Sequence, residues 1–226
     1  DPGHTAGPGP TAGSWSSDDR QRFVTLLLLF AIAVFFWIGF YQNGFALTLF
    51  AQRSAIAYRF LKPETYQFFG PFFILVLTPP LVWAFSKMRE RRKEPTSASK
   101  ITLGLAAAGL SMLVMVWAGL AGGNKDLNIM SPGWLVSSYL LVSLGEILVS
   151  PMGLSLVSKV APSRIRGLMM GFWFSATATG SYSSGVLGRL YDDWPHHAYF
   201  LLIAAVLFFG ALMALFLRRW LDRFGD

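Results

Sequence analysis

The stretch LVSSYLLVSLGEILVSPMGLSLV, residues 135–157, decides the fold. It holds 23 residues and a single charged side chain, Glu146. A helix needs about 20 predominantly apolar residues to cross the hydrocarbon core of a bilayer. Gly133 and Trp134 stand before the run and Lys159 follows it, so the charge and the interfacial aromatic lie at its ends. The stretch is therefore read as a transmembrane helix over residues 133–157.

The same pattern recurs on both sides. Apolar runs occupy residues 23–50, 66–86 and 101–121 before it, and 167–190 and 198–217 after it. Of the 226 residues, 54% are hydrophobic and only 14% charged, whereas about a quarter of a soluble domain is charged. The sequence predicts an all-α membrane protein, a six-transmembrane-helix bundle. Residues 1–22 are expected to form a flexible cytoplasmic linker, because 1–17 are rich in Gly, Pro, Ser and Thr. Residues 218–226 are expected to form a cytoplasmic tail. A linker that opens directly onto a span leads one to expect further chain upstream.

Fourteen of the 19 Lys and Arg residues fall in segments on the N-terminal side of the membrane and five on the other. That bias predicts cytoplasmic termini in a multi-pass protein of the cell membrane, with lipid as its surrounding partner. The net charge of +7 thus belongs to loop flanks. It forms no basic stripe of the kind that binds nucleic acid, and no nucleic-acid partner is expected. Cysteine is absent, which excludes disulfide and thiolate chemistry within the chain. No phosphate-binding loop, metal-ligand spacing or catalytic triad is present, so no enzyme, cofactor or metal site is expected.

Of twelve Asp and Glu residues, Glu146 is the one that lies well within an apolar run. An ionisable group at that depth costs about 2.5–3.5 kcal/mol on insertion scales, and it normally faces a bundle interior or an aqueous cavity. Burial favours the neutral carboxyl and a nearby cation favours the charged one, so such a group can switch with the contents of its cavity. Tyr139, Ser143 and Ser150 share its helix face by their spacing. Span one supplies a polar run, Tyr41, Gln42, Asn43 and Thr48; span five supplies Trp173, Ser175, Thr177 and Thr179. Together they predict a polar cavity shared by spans one, four and five. The interior Pro and Gly residues, Pro79, Pro80, Pro151 and Gly44 among them, fit either close helix packing or hinged helices around a substrate site, with spans one and four as matching interrupted segments.

The stretches FALTLFAQRS (45–54), GPFFILVLTPPLVW (70–83) and WLVSSYLLVSLGEILVSPMGLSLVSKVAPSRIRGLMMGFWFSATATGSY (134–182) resemble the C-terminal half of proton-dependent oligopeptide transporters of the major facilitator superfamily. The pairs Gly145-Glu146 and Ser150-Pro151 and the run Arg166-Gly167-Leu168-Met169-Met170-Gly171 follow that family's pattern. The resemblance implies import of di- and tripeptides coupled to protons, with an N-terminal six-helix half as the missing partner. It implies that Glu146 holds the peptide's amino end or a proton, and that Ser150 and Trp173 line the same pocket. Two positions depart from the pattern: Tyr41 stands where an acid is usual, and Gly70 where Asn is usual. Carriage of another small solute, or a truncated or split fragment that does not transport, are the other expectations.

Overall fold

The computed structural model describes residues 17–225 and is helical nearly throughout. Six helices have 21 residues or more: α1 (Ser17–Phe40), α3 (Phe69–Glu90), α4 (Ser97–Ala121), α5 (Pro132–Val160), α6 (Arg166–Gly188) and α7 (His196–Phe216). Two short ones, α2 (Ala46–Arg53) and α8 (Arg218–Gly225), complete the set. Five segments combine the length and mean hydropathy of a membrane span: Ser17–Arg53, Pro63–Glu90, Ser97–Ala121, Pro132–Val160 and His196–Phe216. Helix α6 is long enough, but its Gly, Ser and Thr residues keep it out of that group.

Helix α4 is central and packs on both α5 and α7. Leu105, Ala108, Met112 and Met115 of α4 are wholly enclosed, as are Phe200, Ile203, Leu207 and Ala214 of α7. Helix α1 lies on α6 and α7. Helix α3 packs chiefly on α5 and buries none of its residues.

Small residues let the backbones meet. A Cβ on Gly145 would stand 2.7 Å from the Gly104 carbonyl oxygen, and one on Gly104 would stand 2.8 Å from that of Gly145. Only glycine tolerates this crossing of α4 and α5. It turns the residue after Gly145 away from α4.

The ends of the elements differ from the sequence expectation. Residues 17–22, at the head of the described part, belong to α1 and are helix, not linker; residues 1–16 lie outside the described part. Asp18 and Asp19 favour a helix N-terminus, and Arg22 donates to Asp18 at 2.8 Å one turn on. Asp19 also pairs with Arg164 at 3.4 Å, which ties the start of α1 to the turn before α6. Residues 218–225, expected as a tail, form α8.

Span one is interrupted as expected: Tyr41–Gly44 form a tighter 3-10 turn, and Phe45 leaves the helical region at φ −118°, ψ −95° before α2 resumes. Span four is not. Helix α5 runs unbroken through Pro151, and α3 through Pro79 and Pro80. Spans one and four are therefore not matching broken segments.

Candidate substrate cleft

The broken end of α1 is what opens the site. Where the chain leaves the helix at Tyr41–Gly44, a cleft of about 370 Å3 forms against α3 and α5. Its walls are Phe40, Tyr41, Asn43 and Gly44 from span one, Gln67, Gly70, Pro71 and Ile74 from the start of α3 and the turn before it, and Tyr139 and Glu146 from α5. The Gly104–Gly145 contact sets the rotation of α5, and that rotation gives Glu146 to the cleft.

Glu146 is half-buried. It makes no hydrogen bond or ion pair among the described residues. The groups around it are already committed. The Tyr139 hydroxyl donates to the Asn43 carbonyl at 3.4 Å, and the Ser143 hydroxyl donates to the Gly70 carbonyl at 3.2 Å. The Thr48 hydroxyl donates to the Asn43 carbonyl at 2.8 Å and accepts from the Gln67 amide at 3.3 Å. The Asn43 side-chain oxygen is enclosed without a partner. The cleft thus offers a carboxyl, a phenol and aromatic walls. A ligand with an ammonium group would satisfy the unpaired carboxyl, since an unsatisfied buried polar group costs about 1–3 kcal/mol.

The eight residues singled out by sequence divide. Tyr41, Asn43, Tyr139 and Glu146 line the cleft, and Ser143 braces it through Gly70. Gln42 does not reach it. Its side chain is fully enclosed, donating to the Ser184 hydroxyl at 2.9 Å and accepting from the Tyr199 hydroxyl at 2.6 Å. This knot joins the end of α1 to α6 and α7. Trp173 is 2% exposed and sits against Gly153 of α5, where a Cβ would stand 2.0 Å from its ring. Ser150 lies one turn past Glu146, outside the cleft, with its hydroxyl enclosed and unpartnered. In span five, Ser175, Thr177 and Thr179 bond back to carbonyls of their own helix. The third wall is α3, not α6.

Sequence reasoning passed over Gln67. The signal was available: it is a polar residue four positions before Pro71, at the start of span two and so on the side of the bundle towards which the polar run of span one leads.

The comparisons with known proteins agree with this architecture. The profile described as "POT family" matches residues 8–212. The chain is 34% identical to "Peptide transporter YePEPT" of Yersinia enterocolitica subsp. palearctica serotype O:3 (strain YE-P4), over 76% of this chain and 34% of that protein. It is 33% identical to "Dipeptide and tripeptide permease A" of Edwardsiella piscicida, again over 76% of this chain and 34% of the relative. Among solved structures, "peptide transporter POT in complex with sulfate" superposes with a TM-score of 0.84 at 30% identity, covering 95% of this chain and 43% of the other. A "POT family transporter in complex with thioalcohol conjugated peptide" gives 0.81 at 25% identity, covering 93% and 44%. The chain spans about a third of the length of these curated relatives. A family profile matched over most of the chain, with the same helical arrangement in transporters of that name, places the chain in the POT family, whose solved members carry the major facilitator fold.

Proposed function

We propose that the chain is the C-terminal half-bundle of a proton-coupled symporter for di- and tripeptides, working by alternating access against an N-terminal six-helix half. Three relatives or neighbours are named for peptides, dipeptides and tripeptides, or were solved with a peptide conjugate. The single observation that carries the reading is Glu146: a lone carboxyl at membrane depth, facing a polar cleft, with no cation beside it among the described residues. Such a group is tolerated when its counter-charge is a ligand ammonium, a proton or a cation from outside the bundle. The proton is then the coupling ion, and no organic cofactor or metal has a part. All six long helices cross the cell membrane, α6 included, with both termini in the cytoplasm and lipid around the outer faces.

Within the cleft, Glu146 holds the amino end of the peptide or the proton. Tyr41, Asn43 and Gln67 offer hydrogen bonds to its backbone, and Tyr139 and Ser143 fix α5 against span one and α3. Ser150 and Trp173 support α5 from its other faces. The test is a Glu146→Gln substitution in the full-length protein. Uptake of labelled dipeptide driven by a proton gradient is expected to vanish while the protein still reaches the membrane and unfolds at an unchanged temperature. Full uptake by the Gln variant would refute the role. A second reading is favoured by Tyr41 and Gly70, which change the cleft at two wall positions: a carrier for another small amine-bearing solute. One neighbour, 27% identical, was solved with 5-aminolevulinic acid. Competition of labelled dipeptide by unlabelled small amino acids and amines separates the two.

A further inference from the structure

We propose that the junction of α7 and α8 is a binding site for an anionic phospholipid, seating its phosphodiester on Arg219 and an acyl chain on Leu215 and Phe216. The chain ends α7 at Phe216 and turns into α8 through Leu217 alone. A notch of about 650 Å3 lies in that elbow, lined by Leu215, Phe216, Arg218, Arg219 and Asp222. Its two surfaces differ in kind. Leu215 is 50% and Phe216 82% exposed on the outer face of α7, while the other wall carries two guanidinium groups.

The elbow is held in place from beneath. Leu221 is 1% exposed under the bundle. The Asp222 carboxylate accepts from the Ala98 N–H at 3.4 Å with one oxygen and from the Arg218 guanidinium at 3.3 Å with the other. Both carboxylate oxygens are thus used, and Arg218 is neutralised. Arg219, next along and exposed, has no ion pair among the described residues. Trp220 beside it is 47% exposed, as suits a ring at headgroup depth. Arg219 also stands in the first turn of α8, where the positive end of the helix dipole adds to the attraction for an anion.

Charge complementarity next to an apolar, outward-facing wall selects the occupant. A free phosphate would use the arginine and leave Phe216 bare; an uncharged lipid would leave Arg219 uncompensated, and a zwitterionic one would bring its own ammonium among the basic residues and offset the attraction of its phosphodiester. An anionic lipid answers both surfaces. Its leaflet, the cytoplasmic one, rests on the orientation proposed above; the contact itself does not.

The experiment is native mass spectrometry of the full-length protein released from mixed phosphatidylglycerol and phosphatidylcholine micelles. Wild type is expected to retain phosphatidylglycerol over phosphatidylcholine. Arg219→Gln should weaken that retention about fivefold, the effect of one basic residue near an anionic surface. Phe216→Ala should weaken retention of long-chain but not of short-chain phosphatidylglycerol, and Arg91→Gln, an exposed arginine of the same rim, should leave it unchanged. Equal retention in wild type and Arg219→Gln overturns the proposal. So does an equal loss in Arg91→Gln, which would mark a diffuse basic rim, and so does displacement by inorganic phosphate, which would mark a small-anion site. No transport is measured, so failure here leaves the transport reading to its own test.

Discussion

Glu146 and Gln42 show how far a side chain's role can be read from its neighbours in sequence. The depth of Glu146 alone demanded a polar surrounding, because lipid offers no partner to a carboxyl, and its helix face followed from the spacing of Tyr139 and Ser143. Gln42 stood in an equally polar run, yet it points the other way. The 3-10 turn at Tyr41–Gly44 advances the chain by about 120° per residue instead of about 100°, and nothing local in the sequence announces where the switch occurs. Tyr41 and Asn43 consequently face the cleft, and Gln42 between them enters the core. Gln42→Leu is expected to leave the Ser184 and Tyr199 hydroxyls unpaired in that core. The loss should be about 1–3 kcal/mol of stability, read as a lower unfolding temperature of the purified full-length protein. The substrate KM of the folded fraction should stay unchanged; a raised KM would restore Gln42 to the binding surface.

Among elements, existence was legible and continuity was not. Runs of about 20 apolar residues can be satisfied in lipid only as helices, which is why five long segments lie where the hydropathy places them, whereas α6 forms although its Gly, Ser and Thr residues keep its hydropathy low. Proline was the misleading sign. Pro151 forfeits the hydrogen bond to Ile147, and the packing of α5 on α4 and α3 keeps the helix continuous all the same. In span one, Pro is absent, and the helix tightens at Tyr41–Gly44 and breaks at Phe45. Glycine carries the specific packing instead. Gly145→Val is expected to push α5 off Gly104 and cost about 1–3 kcal/mol, as overpacking does, and to lower peptide uptake by rotating Glu146 out of the cleft. Gly171→Ala, where no atom lies within 4 Å of the added Cβ, should be silent in unfolding scans. Equal effects of the two would contradict the crossing as the determinant.

The α3–α4 connection is held by a different device. Glu94 accepts from Arg89 at 2.6 Å and from Lys100 at 2.5 Å, and Lys100 also lies over the Phe85 ring at 4.4 Å. The hydrogen bonds from Arg89 and Lys100 hold the Glu94 carboxyl at about 2, below its ordinary 4.5. A depressed carboxylate stabilises the folded state above its unfolded value, and that contribution is lost as pH falls through the folded one. The clasp is therefore intact from pH 8 down to about 4.5 and fails only towards pH 2. The pH dependence of uptake between 5 and 8 should be the same in wild type and Glu94→Gln, although the variant unfolds at a lower temperature. A shifted uptake profile would make Glu94 part of the proton path.

At the scale of the whole molecule, the fold is lopsided. Helix α4 buries about half of its residues and α7 rather fewer, whereas α3 buries nothing and α6 leaves Gly171, Ser175 and Thr179 uncovered. Hydropathy could not distinguish lipid from a second bundle as the cover, because both present apolar or small side chains to such faces. What the sequence did contain at this scale is charge. The α3–α4 and α5–α6 connections with the helix ends that flank them, together with both ends of the chain, hold 14 of the 19 Lys and Arg residues, and cytoplasmic segments retain such residues. The chain has no cysteine, so single cysteines can be placed in it as reporters, in a full-length protein from whose other parts any cysteines have been removed. Lys125→Cys, in the loop between α4 and α5, is expected to react with a membrane-impermeant maleimide in intact cells. Lys93→Cys, between α3 and α4, is expected to react only after the cells are opened. The reverse pattern would invert the bundle, and with it the leaflet proposed for the lipid at Arg219 and the side from which Glu146, in its proposed role, would take a proton.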